Sequence, residues 1–466
     1  MYISLFIDVE DCGTPLSDDV AKDMAGVLTD HGLTGNMMVV GDKARTLEQR
    51  GREDVIAALS RHEIGLHSDR HSFHPTVAEY LAGKRWTDGI EEAVVREGPG
   101  VEALRRVFGR SPSCWGQPGG SWAPQVHPAV RRLGLPAIVY PATCTPRSDV
   151  HWYGGTLTFG YQHVFGGFDA LYCDDEPFQH QLEAFQAHVD ECLHLGLPWI
   201  GLFLGHPIYV RAREFGDVLN LGHGNETPPE LWRHPPLRSP AKYRTALKNL
   251  AILAQTVATH PHLEVVPIGA LAKTFGHCAE RIAVEHLRDY AAAASAAQDI
   301  PTGDPRLSPA QAVDVLTRAI LAQAEGAEPE DYSCPHVDGP VVTPLQNTAQ
   351  ARVSWDTFRA GCARVQSTIV RSGHLPAQVD LDGLDVGIGS FYRAACAAYA
   401  ALGNGHPPQE VMLGPGPQVP AIAEPIARQT EGGYRGWVIH RPDLDPTNLL
   451  ELTRLQTWTL KPATLP

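Results

Sequence analysis

The chain has 466 residues, 43% hydrophobic and 20% charged, an ordinary globular usage over a length too great for one compact core, so two or three domains are expected. A formal charge of −15, with no Lys/Arg cluster longer than a pair, argues against a phosphate-binding surface and hence against a nucleic-acid partner. Nine cysteines, odd in number and without a CxxC pair, read as reduced, packed thiols rather than a disulfide frame or a zinc ribbon.

The chain opens on MYISLFIDVEDCG, apolar for only a few residues and with no basic stretch ahead. Neither a signal peptide nor a membrane span is expected, and the protein reads as cytoplasmic. Short apolar runs then alternate with segments of helical periodicity: YISLFID, DDVAKDMAGVLTDHG, GNMMVVG, REDVIAALSRHE, IGLHS. The rhythm continues through GVEALRRVFG and SPSCWG, PAVRRLG and PAIVYP, QLEAFQAHVDECLHLG and WIGLFLGHP, then TALKNLAILAQTVATHP and LEVVPIGAL. This βαβ succession predicts a mostly parallel sheet or barrel with helices outside, an α/β domain over residues 1–277. Chemistry in such folds sits at the carboxyl ends of the strands, where Asp8, His67, Gln117 and His206 all fall.

Residues 278–306, Ala-rich and then Pro/Gly-rich, read as a helix and linker. Ser308 as cap and Pro309 in the first turn open SPAQAVDVLTRAILAQAEG, which starts a mainly helical module over 307–466. Within it, VSWDTFRAGCARVQSTI and VGIGSFYRAACAAYAAL align as an internal repeat, Phe358 on Phe391 and Cys362 on Ala395 or Cys396; repeats of this length stack on each other.

The stretch HEIGLHSDRHSFHP, residues 62–75, concentrates four histidines, a glutamate and an aspartate. His67 and His71 are spaced i, i+4, so a helical turn after the strand would aim both imidazoles at one metal ion. The carboxylates Asp8, Glu10 and Asp11 at the end of the first strand strengthen that reading, since two imidazoles and one carboxylate leave a coordination position for water. The bland alternatives are a solvated turn and a capping cluster. His74 reads as a surface or supporting histidine, and His62 as the end of its helix.

These segments carry a resemblance. The chain from 1 to about 275 resembles the polysaccharide deacetylase family, carbohydrate esterases built on a distorted (β/α) barrel. LFIDVEDCG stands where that family has its paired-aspartate strand end, GNMMVVG at its second strand, and HEIGLHSDRH at its metal motif. GQPGGSW stands at its arginine-x-proline-x-glycine motif and GLFLGHP at its late catalytic histidine, in the same order and with similar spacing.

The resemblance implies His67 and His71 as ligands to zinc or another divalent transition metal, with Glu10 or Asp11 as the third. Glu10 keeps the alternate-residue direction of a strand and Asp11 keeps the residue type, and both stay open. Asp8 is then the general base, and His206 the general acid that protonates the leaving amine. Gln117, Pro118, Gly119, Trp115 and Trp122 are the implied substrate contacts, with core aromatics as the alternative for the two tryptophans. The family's arginine is replaced by Gly116, which leaves open what orients Asp8.

The Pro-rich segment 213–240, with His223 and Trp232, reads as a lid or specificity loop, or as an excursion packed on the barrel. The unit around SGHLPAQVDLDGLDVG is similar to short repeats of cell-wall-binding proteins; a helical module packed on the barrel, or a dimer interface, is the alternative. The expected activity is metal-dependent removal of an N-acyl group from an amino sugar or small glycan. Hydrolysis of a non-sugar amide or cyclic C–N bond, and a non-catalytic carbohydrate-binding relative, are the alternatives. The expected partners are a small-molecule or oligosaccharide substrate, with no nucleic acid and no membrane, and a homo-oligomer is compatible with the acidic chain and its extra module.

Overall fold

The computed structural model describes residues 1–140, 150–275, 280–347, 349–402, 407–419 and 440–465, without the side chain at position 223. Cys144 and Cys278, the expected boundary at 277 and the side chain of His223 therefore lie outside the described residues.

Ten strands of the first half build the sheet: β1 (Tyr2–Val9), β2 (Asn36–Val39), β3 (Glu63–Leu66), β4 (Trp115–Gly116), β5 (Ala137–Val139), β6 (His151–Tyr153), β7 (Thr156–Phe159), β8 (Val164–Phe165), β9 (Trp199–Gly205) and β10 (Glu264–Val265). Their order is β6-β7-β5-β4-β3-β2-β1-β9-β8, with β10 on β1. Every pairing from β7 to β8 is parallel, and only β6 runs against its neighbour. Among the described residues the two edges do not pair with each other, and the parallel sheet with helices around it is a distorted (β/α) barrel.

β1 shows how the site is aimed. Both faces of this central strand are covered, so it is buried from Ile3 to Val9. Ile3, Leu5, Ile7 and Val9 pack under the outer helices, whereas Phe6 joins Met38, Val139 and Phe203 on the inner face. With a side-chain period of two, Asp8 continues the inner row of Phe6, and Glu10 just past the strand extends it.

A second core surrounds the helices Val284–Ala296, Pro309–Ala324, Trp355–Ser372 and Ile388–Leu402. Ser308 caps the second of these in a capping box with Gln311, with Pro309 in the first turn. The two repeat helices each follow a short strand, and their Phe358 and Phe391 rings stack 5.0 Å apart at 22°. The chain then returns to the barrel. Leu449, Leu452 and Leu460 join its outer core, and Lys461–Pro462 adds an antiparallel edge strand to β6.

Candidate active site

Asp8 and Glu10 come from the inner row of β1, His67 is the first residue after β3, and His206 the first after β9. His67 Nε2 lies 3.2 Å from Glu10 Oε2 and 3.4 Å from Asp8 Oδ2. His71 Nε2 lies 2.8 Å from the same Glu10 oxygen, and His206 Nε2 lies 3.4 Å from the other and 4.0 Å from Asp8 Oδ2. All five line one cavity of about 210 Å³, shared with Gln117, Gly119, Tyr140, Tyr161 and Phe203.

The histidine pair is not presented by a helical turn. Ser68 and His71 take the left-handed conformation, with φ of 63° and 44°, and that folds the segment back so both rings meet Glu10, 4.9 Å apart. A buried carboxylate holds this turn. Glu97 accepts hydrogen bonds from Ser68 Oγ (3.1 Å), Asp69 N (3.2 Å), Tyr80 Oη (3.2 Å) and Trp115 Nε1 (2.8 Å). Burial pushes Glu97 up to about 7 against the pull of these donors. Gly41 and Gly100 let neighbouring backbone approach the turn, since a Cβ at either would sit 2.3 Å from Asp69 Oδ1 or 3.0 Å from Asp69 Cα.

On the other side, Asp169 Oδ1 accepts from His206 N (2.8 Å) and pairs with His206 Nδ1 (3.0 Å). The approach is close enough that Gly205, at φ 112°, has no room for a side chain: its Cβ would lie 2.6 Å from that carboxylate oxygen.

Of the two acidic candidates that follow Asp8, Glu10 is the one placed with the histidines. Asp11 turns away, its Oδ1 accepting from Gly13 N at 3.1 Å and its backbone carbonyl from the buried Lys43. Gln117 and Gly119 line the cavity, the Gln117 amide donating to Gly119 O at 2.8 Å, and Pro118 is not among the lining residues. Trp115 is wholly buried beneath the turn, and Trp122 packs on His127 and Tyr153; neither lines the cavity. Gly116 sits tightly against the site, as a Cβ there would meet Met38 Cε at 2.5 Å and His67 Nδ1 at 3.1 Å.

His74 pairs with Glu79 at 2.8 Å, and His62 bonds the Ala25 carbonyl at 2.9 Å. The segment 213–240 packs along the outer side of the site. Asp217 lies 3.8 Å from His71 Nδ1, and Trp232 packs on Phe73 and Gly13. Asp169, Glu97, Tyr140 and Asp217 carry no periodic or motif signal; only the fold brings them to the site.

Burial raises Asp8 to about 6, against the pull of His67 and His206. Burial also works to raise Glu10, but His71 and His206 outweigh it and hold it well below the usual carboxylate range. For His206 burial works downward, and Asp169 with Glu10 and Asp8 reverses it, to about 10. Among the described residues, Asp8 Oδ1 is buried without a hydrogen-bond partner, and the buried Glu10 carboxylate faces only the ring nitrogens of His67, His71 and His206. Unsatisfied buried acceptors of this kind are costly without a cation. Ligand atoms of Glu10, His67 and His71 lie within 4.8 Å of one another, so the donor set fits a divalent transition metal.

No family model and no curated protein matches this chain. Solved structures of similar fold include a candidate polysaccharide deacetylase from Mycobacterium smegmatis, at 15% identity and a TM-score of 0.39 over 58% of this chain and 89% of that one. Others are a family 4 carbohydrate esterase from Streptomyces lividans in complex with acetate (14%, TM-score 0.31, 57% and 91%) and an allantoinase (14%, TM-score 0.34, 58% and 89%). What this chain does with its site rests on the side chains that line it.

Proposed function

We propose that the protein is a metal-dependent hydrolase of non-peptide C–N bonds that removes an N-acyl group from an amino sugar or small glycan. The observation that carries this reading is the buried Glu10, His67 and His71 triad opening on the same cavity as Asp8 and His206. A divalent cation held by Glu10, His67 and His71, zinc in the first instance, supplies Lewis acidity and lowers the pKa of a water.

The protein's own groups divide the proton work. Asp8, with one buried oxygen lacking a partner, accepts a proton from the attacking water. His206, kept protonated by Asp169, donates to the departing nitrogen, so the amine leaves neutral rather than as an amide anion. Both groups are shifted upward, Asp8 to about 6 and His206 to about 10, so near neutral pH His206 holds a proton and Asp8 does not, the weaker acid giving and the stronger acid's conjugate base taking.

The second reading, a non-sugar amide or cyclic C–N bond, is favoured by the cavity's size and by its Tyr140, Tyr161 and Phe203 wall, which suits a compact planar substrate. We also take residues 1–277 as the catalytic unit and 307–466 as an accessory helical module. Acetate release from N-acetylated amino sugars and chito-oligosaccharides, set against ring opening of small imides and ureides, tests the two readings side by side. Release of acetate supports the first, ring opening the second, and neither activity in metal-loaded protein contradicts both.

A further inference from the structure

We propose that the Tyr140 hydroxyl is a further catalytic group of this site, donating a hydrogen bond to the acyl oxygen of the scissile bond as water attacks. The inference rests on the hydrolase reading given above.

Tyr140 is the first residue past β5 and takes φ of 64°, a left-handed conformation that bulky side chains rarely adopt outside sites where the surroundings impose it. Its backbone N–H donates to Phe159 O at 3.1 Å, which pins the residue to the end of β7. Its ring is clamped on three sides, edge-on to Phe6 at 4.9 Å, Tyr161 at 6.0 Å and Phe203 at 6.3 Å. The side chain thus has little freedom, and the residue is 7% exposed.

The hydroxyl held by this clamp is buried and has no hydrogen-bond partner among the described residues. Buried tyrosine hydroxyls ordinarily find one, and this one lines the cavity that holds Asp8, Glu10, His67, His71 and His206. A missing partner in that place is supplied by a ligand. Burial and the nearby Asp8 hold the phenol well above its ordinary pKa, so it remains a donor.

The chemistry leaves one role for a neutral donor. Asp8 takes the proton of the attacking water and His206 supplies that of the leaving nitrogen, so the remaining charge develops on the acyl oxygen. No Lys or Arg is among the described residues lining the cavity, so no cationic side chain there competes for the role. A pre-oriented phenol donor stabilises that oxygen while keeping its own proton, without any covalent step.

The test is Tyr140→Phe, which keeps the ring and its clamp and removes only the hydroxyl. Metal content and melting temperature serve as controls. On whichever substrate of the sugar and amide panel the wild type hydrolyses, kcat is expected to fall 10- to 1,000-fold with KM within about threefold, as for loss of one oxyanion donor. Acetate, titrated calorimetrically into the zinc-loaded protein, is expected to bind at least fivefold more weakly to the variant. Unchanged kcat and unchanged acetate affinity in an active wild-type background overturn the Tyr140 assignment alone. A zinc-loaded wild type that neither hydrolyses any panel member nor binds acetate overturns the hydrolase reading and this inference with it.

Discussion

Glu97→Gln is the sharpest test of how the histidine turn is held. The carboxylate accepts from four donors, two of them the hydroxyls of Ser68 and Tyr80 and two the N–H groups of Asp69 and Trp115. A glutamine amide can offer its oxygen to the two N–H groups, which cannot reverse their role. Its NH₂ then faces the two hydroxyls, which turn to accept and leave their own protons without a partner. At about 1–2 kcal/mol for each buried donor left unsatisfied, the variant loses about 2–4 kcal/mol.

Against a total stability of order 5–15 kcal/mol, the protein still folds. The turn that places His67 and His71 loosens, and zinc affinity drops about 10- to 100-fold, the usual effect of losing a group that orients metal ligands. Urea unfolding at pH 8 measures the first effect and chelator competition the second. Tyr80→Phe costs about 1 kcal/mol alone and less in the Glu97→Gln background, because its hydroxyl proton has already lost its acceptor. An unfolding free energy and a zinc affinity both unchanged by Glu97→Gln would refute the reasoning.

Two further predictions follow from the charges. Asp169→Asn removes the strongest group raising His206, so the alkaline limb of the rate profile, expected near 10 in the wild type, moves toward neutral pH, and kcat falls about 100-fold or more; an unmoved limb denies His206 its role as proton donor. His127 is held down to about 3 by burial and by His151, below its ordinary 6.5, so the folded state binds fewer protons than the unfolded chain between those values. Stability is therefore full above pH 6.5 and declines as pH falls, by about 2 kcal/mol from this group between pH 7 and 5; a His127→Phe variant with the same slope in urea unfolding contradicts the assignment.

The barrel was legible because β1, β2, β3 and β9 are short apolar runs covered on both faces, and the helices between them show clear periodicity. Strand-end positions then located Asp8, His67, Gln117 and His206 at one rim. The β6–β7 hairpin and the 461–462 edge strand were not legible, since strands of two to four residues carry too little pattern. The i, i+4 spacing of His67 and His71 fits a helix equally well, so sequence cannot report the left-handed Ser68 and His71, whose turn is held by the bonds of Ser68 and Asp69 to the distant Glu97. The sequence leaves Trp115 open between a cleft wall and a core aromatic; it is a core residue, wholly buried, with its indole N–H donating to Glu97. Asp169 and Tyr140 reach the site through packing between elements far apart in sequence, which no local pattern reports.

The central claim is that Glu10, His67 and His71 hold a metal on which Asp8 and His206 act without being ligands. Metal content by mass spectrometry, after reloading with zinc, on the wild type, His67→Ala, Glu10→Gln, Asp11→Asn and Asp8→Asn tests it most directly. About one zinc per chain in the wild type, lost in His67→Ala and Glu10→Gln and kept in Asp11→Asn and Asp8→Asn, is the predicted result. A wild type that takes up no zinc, or a Glu10→Gln variant that keeps it while Asp11→Asn loses it, would contradict the account.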